Sequence, residues 1–303
     1  MSAYRLRKFI SGQAATPESK TQACFESRNR RAVVNGYRKR VKIHIGCSGW
    51  FYWHWRGIFY SEGNRTDTWF RHYAANFDTV ELNAPFYSWP KDATVKTWKR
   101  NAPENFRYSV KVNRLITHEK RMRHTRALVE KFCRIETILG QKLGCFLFQF
   151  PPSYKYTPSR LRSILTQLDP AFHHAVEFRH KSWWREAVYR GFRERGLVFC
   201  SVSSPRLPTT LVRTADVIYL RFHGTSRWYR HDYSREELAE WAKKIRSSGA
   251  REAWIYFNND RQGYAITNAR ELRGLLPTAQ KPGGSQSGNP VAPIPGSDRP
   301  SAA

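Results

Sequence analysis

No apolar run in this chain approaches the length that a membrane-spanning helix needs, so the sequence predicts no membrane span and no membrane partner. The N-terminal stretch is Arg-rich but lacks the continuous apolar segment and small-residue cleavage site of a secretory signal, which makes a cytoplasmic location the expectation. Cysteine is sparse and scattered. Cys24, Cys47, Cys133, Cys145 and Cys200 form no C-x-x-C pair, and no histidine stands at zinc-finger spacing, so a disulfide framework and a structural zinc are both disfavoured and reduced thiols are expected. Acid is scarce: 24 Asp and Glu face 52 Lys and Arg, a formal net charge of +28. Because 36 of those 52 cations are arginine, whose planar fork fits phosphate, an anionic partner comes first, either DNA or RNA or a phosphorylated substrate. A merely solvated basic surface is the plainer reading of the same charge.

What is present is enough for a large core: 303 residues, 40% hydrophobic and 15% aromatic. Residues 1–40 carry RLRK, RNRR and YRKR without a sustained period and read as a basic, loosely ordered arm. Residues 277–303 are rich in Pro, Gly and Ser and read as a disordered tail. Between them, over 41–276, eight short runs of β-branched and aromatic residues recur: VKIHIGCSG, TVELN, RYSVKV, CFLFQF, HAVEFR, LVFCSVS, VIYLRFHG and AWIYFNND. Helical patterns separate them except between the sixth and seventh, where the connection is short and contains proline. Strands alternating with helices call for parallel pairing, and this repeat number predicts an α/β fold of one kind, a single (β/α)8 TIM-type barrel. A doubly wound open sheet is the alternative, weakened because the first strand-to-helix turn lacks G-x-G-x-x-G.

In such a barrel the C-terminal strand ends share one mouth. Here six of the eight strands finish in polar or charged residues that a buried parallel strand does not otherwise carry: Glu81 and Asn83, Lys111, Gln149, Glu177 and Arg179, Arg221 and His223, then Asn258, Asn259 and Asp260. Glu81, Glu177 and Asp260 are the candidate bases or metal ligands, with His223 as acid, base or nitrogen ligand. Lys111, Arg179 and Arg221 suit a phosphate or carboxylate, and Asn83, Gln149, Asn258 and Asn259 could orient it. His118 lies on the loop after the third strand and joins the candidates. The competing reading is a layer of buried ion pairs, Glu177 with Arg179 or Arg221. A divalent metal ion stays open as a cofactor, although no H-E-x-x-H or comparable signature occurs.

The first strand runs into IGCSGWFYWHWRGIFY, residues 45–60. Trp50, Tyr52, Trp53 and Trp55 are expected either to wall or cover the mouth, stacking on bases or sugars, or to fill the rim as a small extra core. SRWYRHDY, residues 226–233, has the same character and is expected to face the same mouth.

Taken together, IGCSGWFYWHWRGIFY, FDTVELNAPFYSWP, TVKTWKRNAPENFRYSVKVNRLITHEKRM, LGCFLFQFPPSYK, AVEFRHKSW, YLRFHG and YFNNDRQGYAITNARELRGLL resemble, in the same order, the YecE-like family, also called domain of unknown function 72. The resemblance covers about residues 43–276. It implies a TIM barrel related in shape to endonuclease IV and sugar isomerases, and a shared pocket rather than a known reaction. The family-typical positions correspond to Trp50, Glu81, Asn83, Tyr87, Lys111, Thr117, His118, Gln149, Glu177, Arg179, Arg221, His223, Gly224, Asn258, Asn259 and Gly263. Many members place an aspartate just after the sixth strand where this chain has Ser203, which removes one potential ligand or base. The strand-end histidines and acids are also too few for the three-metal cluster of endonuclease IV. Three readings follow: a phosphodiester-directed hydrolase or lyase of nucleic acid, an isomerase or hydrolase of a phosphorylated sugar, and a non-catalytic nucleic-acid-binding protein.

Overall fold

The computed structural model describes residues 41–276; the arm over 1–40, the tail over 277–303 and Cys24 lie outside the described residues. Eight strands run through it: β1 (Lys42–Cys47), β2 (Thr79–Leu82), β3 (Arg107–Lys111), β4 (Leu143–Gln149), β5 (His174–Glu177), β6 (Val198–Ser203), β7 (Val217–Phe222) and β8 (Glu252–Phe257). Their order is β1-β8-β7-β6-β5-β4-β3-β2, and every paired neighbour is parallel. The helices between them are α1 (Trp69–Asn76), α2 (Ala84–Tyr87), α3 (Asp92–Asn101), α4 (Arg126–Cys133), α5 (Ile135–Leu139), α6 (Pro158–Gln167), α7 (Glu186–Arg195), α8 (Arg235–Ser247) and α9 (Tyr264–Leu275). This is the expected (β/α)8 barrel, with a helix-free connection from β6 to β7. The helical pattern HTRALVEKFCRIETILGQ, residues 124–141, breaks at Arg134 into α4 and α5, and a π-helical turn over Leu115–Glu119 follows β3 where periodicity shows only a loop.

β1 and β2 share no backbone ladder, and a side chain closes the seam. The buried Tyr73 hydroxyl, carried by α1, accepts from the Cys47 N–H at 2.7 Å and donates to the Thr79 carbonyl at 2.9 Å. It takes the place of a missing rung and leaves neither buried backbone group unpaired. The approach is close enough to require glycine at position 46, since a Cβ there would lie 2.0 Å from the Thr79 carbonyl oxygen.

Strand alternation sorts the side chains into two cores. Cys145, Leu147, Ala175, Cys200, Val202, Tyr219, Trp254 and Tyr256 fill the barrel, while Ile45, Val80, Val110, Phe148, Phe199 and Ile255 face the helices. At the floor, Trp254 stacks on His44 with 4.0 Å between centroids, and its ring lies where a Cβ on Gly144 would come within 2.3 Å. Gly144 sits at the register irregularity between β3 and β4, so the bulge and the large ring explain each other. One layer up, the Tyr256 hydroxyl meets Thr79 Oγ1 at 2.7 Å and Ser109 Oγ at 2.8 Å. No described helix is long and apolar enough to cross a membrane.

Candidate functional site

The next interior layer, at the C-terminal ends, is charged. Arg221 is 1% exposed and bridges two fully buried carboxylates, with Nη2 2.6 Å from Glu81 Oε1 and Nη1 2.5 Å from Glu177 Oε2. Glu81 also accepts from the Tyr219 hydroxyl at 2.7 Å, and Glu177 accepts from Arg179 Nε. Burial alone would raise the Glu177 carboxyl, but Arg179, Arg221 and His223 outweigh it and hold the group well below the usual carboxylate range. His223 Nε2 lies 3.2 Å from Glu177 Oε1 and 3.3 Å from Arg179 Nη2, with Asn258 Nδ2 3.2 Å from Nδ1. Burial, then the Arg179 charge, pushes the imidazole down to about 3, so it is neutral at physiological pH. Arg179 stacks on Trp228 at 4.6 Å and reaches the Tyr229 hydroxyl at 3.2 Å, which brings the second aromatic cluster to this mouth.

Lys111 shares the layer but is bound differently. Its Nζ sits 4.0 Å from the Phe86 ring centroid, and among the described residues it has no hydrogen bond and no carboxylate within ion-pair distance. Burial and then Arg221 lower the amine to about 7, against the raising pull of Glu81 and Glu177. His118, carried on the π-helical turn, packs edge-on to Phe86 at 4.9 Å. Burial, with Lys111, Arg114 and Arg179 adding to it, pushes His118 down to about 4. Beside it opens a cavity of about 490 Å³ lined by His118, Glu119, Arg121, Arg123, Tyr154, Arg160 and two serines, so that three arginines face one carboxylate. The loop that presents Arg121 and Arg123 is wound left-handed at Arg121, Met122 and His124, a conformation that costs non-glycine residues about 1–2 kcal/mol each. Gln167 of α6 holds it, donating to the Met122 carbonyl at 2.7 Å and accepting from the Thr125 N–H at 2.9 Å.

Of the remaining sequence candidates, Asn259 and Asp260 go elsewhere, whereas Asn83 and Gln149 stay beside the charged layer. Asn259 is one residue out of phase with Asn258, so it points away from the barrel and donates to Asn268 Oδ1 of α9 at 2.6 Å and to the His231 carbonyl at 2.9 Å. Asp260 anchors the first loop, accepting from Trp55 Nε1 at 2.6 Å with His54 Nε2 at 3.1 Å. Burial raises its carboxyl to about 6, with His54 and Trp55 opposing. Asn83 donates to the Ser48 carbonyl at 3.1 Å and Gln149 to the Phe150 carbonyl at 2.9 Å. Tyr87 is 72% exposed. Ser203 is also out of phase with the interior, and its hydroxyl meets the Tyr233 hydroxyl at 2.7 Å. The reading of Trp55 as part of a lid is overturned: it is wholly buried with Phe59 and Tyr60, and Tyr60 stacks on Trp69 at 4.5 Å. Phe51 and Trp53, in the same loop, stay half or more exposed. Tyr219 and the Arg121–Arg160 cavity escaped the sequence reading. Tyr219 lies two residues before Arg221, and the period of the strand alone would have brought it in.

Among the described residues no group of three His, Cys, Asp or Glu side chains is placed to hold a metal ion. The donors nearest to such a set, Glu81, Glu177 and His223, are engaged with arginine and with each other.

Parallel strands in a nearly closed ring, with a charged layer at their C-terminal ends, make this a TIM-type barrel protein with its polar groups where that fold places its sites. Within that class the chain belongs to the family described as "Protein of unknown function DUF72", whose profile matches residues 44–292. The UPF0759 protein YunF of Bacillus subtilis is 26% identical over 272 residues, covering 77% of this chain and 94% of its own. The UPF0759 protein YecE of Escherichia coli K12 is 25% identical over 233 residues, covering 67% and 80%. The crystal structure of a DUF72 family protein, TM1631, from Thermotoga maritima superposes with a TM-score of 0.70 at 29% identity, over 77% of this chain and 98% of that one. Another from Enterococcus faecalis, EF0366, superposes at 0.68 with 22% identity, over 79% and 97%, and speaks to the fold alone.

Proposed function

We propose that the C-terminal mouth binds a phosphate-containing ligand and breaks an ester bond beside that phosphate, as a hydrolase or lyase does. One observation carries this reading: Arg179, Arg221 and Lys111 face only Glu81 and Glu177, and the surplus cation, Lys111, has no counter-ion among the described residues. Unpaired charge beside a buried ion-pair layer is costly, and an anionic ligand would complete the set. The basic cavity of Arg121, Arg123 and Arg160 continues the same field outward and suits further phosphates, as in DNA or RNA. Glu177 serves best as the group that aims Arg179 and Arg221, because its oxygens are already taken by donors.

The test compares wild type with Arg160→Ser and Arg179→Met. Labelled single-stranded, duplex and abasic DNA, RNA and phosphorylated sugars are titrated at several salt concentrations and then analysed for products. Binding that weakens with salt and falls in both variants is expected, with product formed by wild type. Binding that ignores phosphate, or survives both substitutions unchanged, overturns the reading. Exposed Phe51 and Trp53, with Arg56 lying 5.3 Å from the Trp53 ring, favour a second reading in which bases stack on the rim without turnover. Salt-sensitive binding with no product from any probe would select it.

A further inference from the structure

We propose that Lys111 is a nucleophilic amine that forms an iminium with a carbonyl compound carrying a phosphate, an aldehyde or ketone of a sugar phosphate either free or within an abasic nucleic-acid strand. This rests on the phosphate-binding reading and deepens it by naming the bond-forming residue and the substrate class.

The geometry is that of a lysine kept reactive rather than paired. Lys111 ends β3 inside the mouth, its amine over the apolar face of Phe86, and no described carboxylate holds it as an ammonium. The charged and titratable groups acting on it are Arg221 from β7, Glu81 from β2, Glu177 from β5, Arg179 just beyond β5 and His118 from the π-helical turn. Burial and the neighbouring Arg221 guanidinium are the two devices that loosen the proton here, working against the Phe86 ring face and the two carboxylates, which favour the ammonium. Its lowering to about 7 leaves about half of Lys111 neutral at pH 7, roughly 10³-fold more than an ordinary lysine. Glu81 and Glu177 lie near enough to favour the positive iminium once it forms. The cations that grip phosphate fix where the carbonyl must sit.

The chemistry balances without an oxidant. The Nζ lone pair attacks the carbonyl carbon, the C=O pair moves to oxygen, and a proton from nitrogen goes to that oxygen. The carbinolamine takes one proton from solvent and expels water, leaving a protonated C=N. Where a phosphate stands on the β carbon, loss of the α proton to water lets the C–O pair leave with the phosphate. Water then hydrolyses the iminium and restores the amine.

Full-length protein is incubated with sodium cyanoborohydride and either an abasic oligonucleotide or ribose 5-phosphate. Adducts are read by intact mass and peptide mapping, and binding of both probes is titrated separately without reductant. The expected result is an adduct on Lys111 weighing the probe less one oxygen atom, with a yield that rises as pH climbs through about 7. In Lys111→Met that yield should fall at least about tenfold. The abasic arm alone would assign a nucleic-acid substrate, and the sugar arm alone a metabolite. Binding with no adduct, or equal adduct in Lys111→Met, overturns the amine's role while leaving phosphate recognition standing. Loss of both binding and adduct overturns both.

Discussion

Replacing Tyr73 by phenylalanine tests how the barrel closes. The substitution removes one oxygen and leaves the ring, so no cavity larger than that atom appears. What it leaves behind are two buried backbone groups, the Cys47 N–H and the Thr79 carbonyl, whose bonds to Tyr73 at 2.7 and 2.9 Å bridge β1 to β2. An orphaned buried polar group costs about 1–3 kcal/mol, and the removed hydroxyl no longer needs desolvating, so a net loss of about 2–4 kcal/mol is expected. For a folded body of this size each kcal/mol lowers the melting temperature by about 2–4 °C, giving a drop of roughly 5–15 °C. Urea unfolding should show a lower midpoint at an unchanged slope, and hydrogen exchange should show the Cys47 amide losing protection ahead of the other β1 amides. A loss below about 0.5 kcal/mol, or a Cys47 amide as protected as before, would mean that water or a β1–β2 adjustment substitutes for the hydroxyl.

Arg221→Met should destabilise by about 3–5 kcal/mol in denaturant titrations, because Glu81 would lose its only paired cation among the described residues while buried beside Glu177, which keeps Arg179. Adding Glu81→Gln and Glu177→Gln should recover much of that loss, and failure to recover any would place the cost in packing instead. At the barrel floor, His44 lies 2.9 Å from Glu252 and 3.3 Å from Asp78. Burial lowers its pKa, but the two carboxylates outweigh burial and the net direction is up. A raised folded-state value means that the stabilisation is full below the unfolded pKa of about 6.5 and fades as pH rises through the folded one. Comparing wild type with His44→Phe, which keeps a ring against Trp254, should give a gap of about 1–3 kcal/mol near pH 5.5 that shrinks as pH climbs above about 6.5. A gap that does not change with pH would remove the charge from the account. Glu252, which burial would raise, is instead held down to about 2 by His44 and Lys42, so its own contribution is lost only as pH falls from about 4.5 toward that value.

The strands were legible because a strand buried on both faces reads as a short β-branched and aromatic run, and the helices because their apolar spacing differs. The π-helical turn was not, since LITHE carries no helical cap or period and is set by its packing around Ile116 and Thr117. The charged layer was legible as polar residues interrupting apolar runs. Its membership was finer than that signal, and strand phase supplies the missing rule. Asn258, Arg221 and Tyr219 share the interior phase, whereas Asn259 and Ser203 fall on the helix side and bond to Asn268 and Tyr233. Asp260 lies three residues past the end of β8, where the chain has turned toward the first loop, and only the fold shows that Trp55 and His54 claim it. The aromatic loop could not be divided from sequence, because Trp53 and Trp55 differ only in which side of one short turn they occupy.

The buried ion pairs and the proposed site are parts of one device. A lone arginine inside a barrel would be expelled or would unfold it, so Arg221 requires Glu81 and Glu177. With two carboxylates present, a further cation is the electrostatic expectation, and Arg179 meets it by pairing with Glu177. Lys111 is then a cation more than the layer needs, and the balance of Arg221 against Glu81 and Glu177 leaves its proton weakly held. Neutral His223 adds no charge of its own. The same arrangement therefore serves both ends of the proposed chemistry: the arginines of the mouth face the phosphate, and Lys111, whose proton is weakly held, faces the carbonyl and reacts.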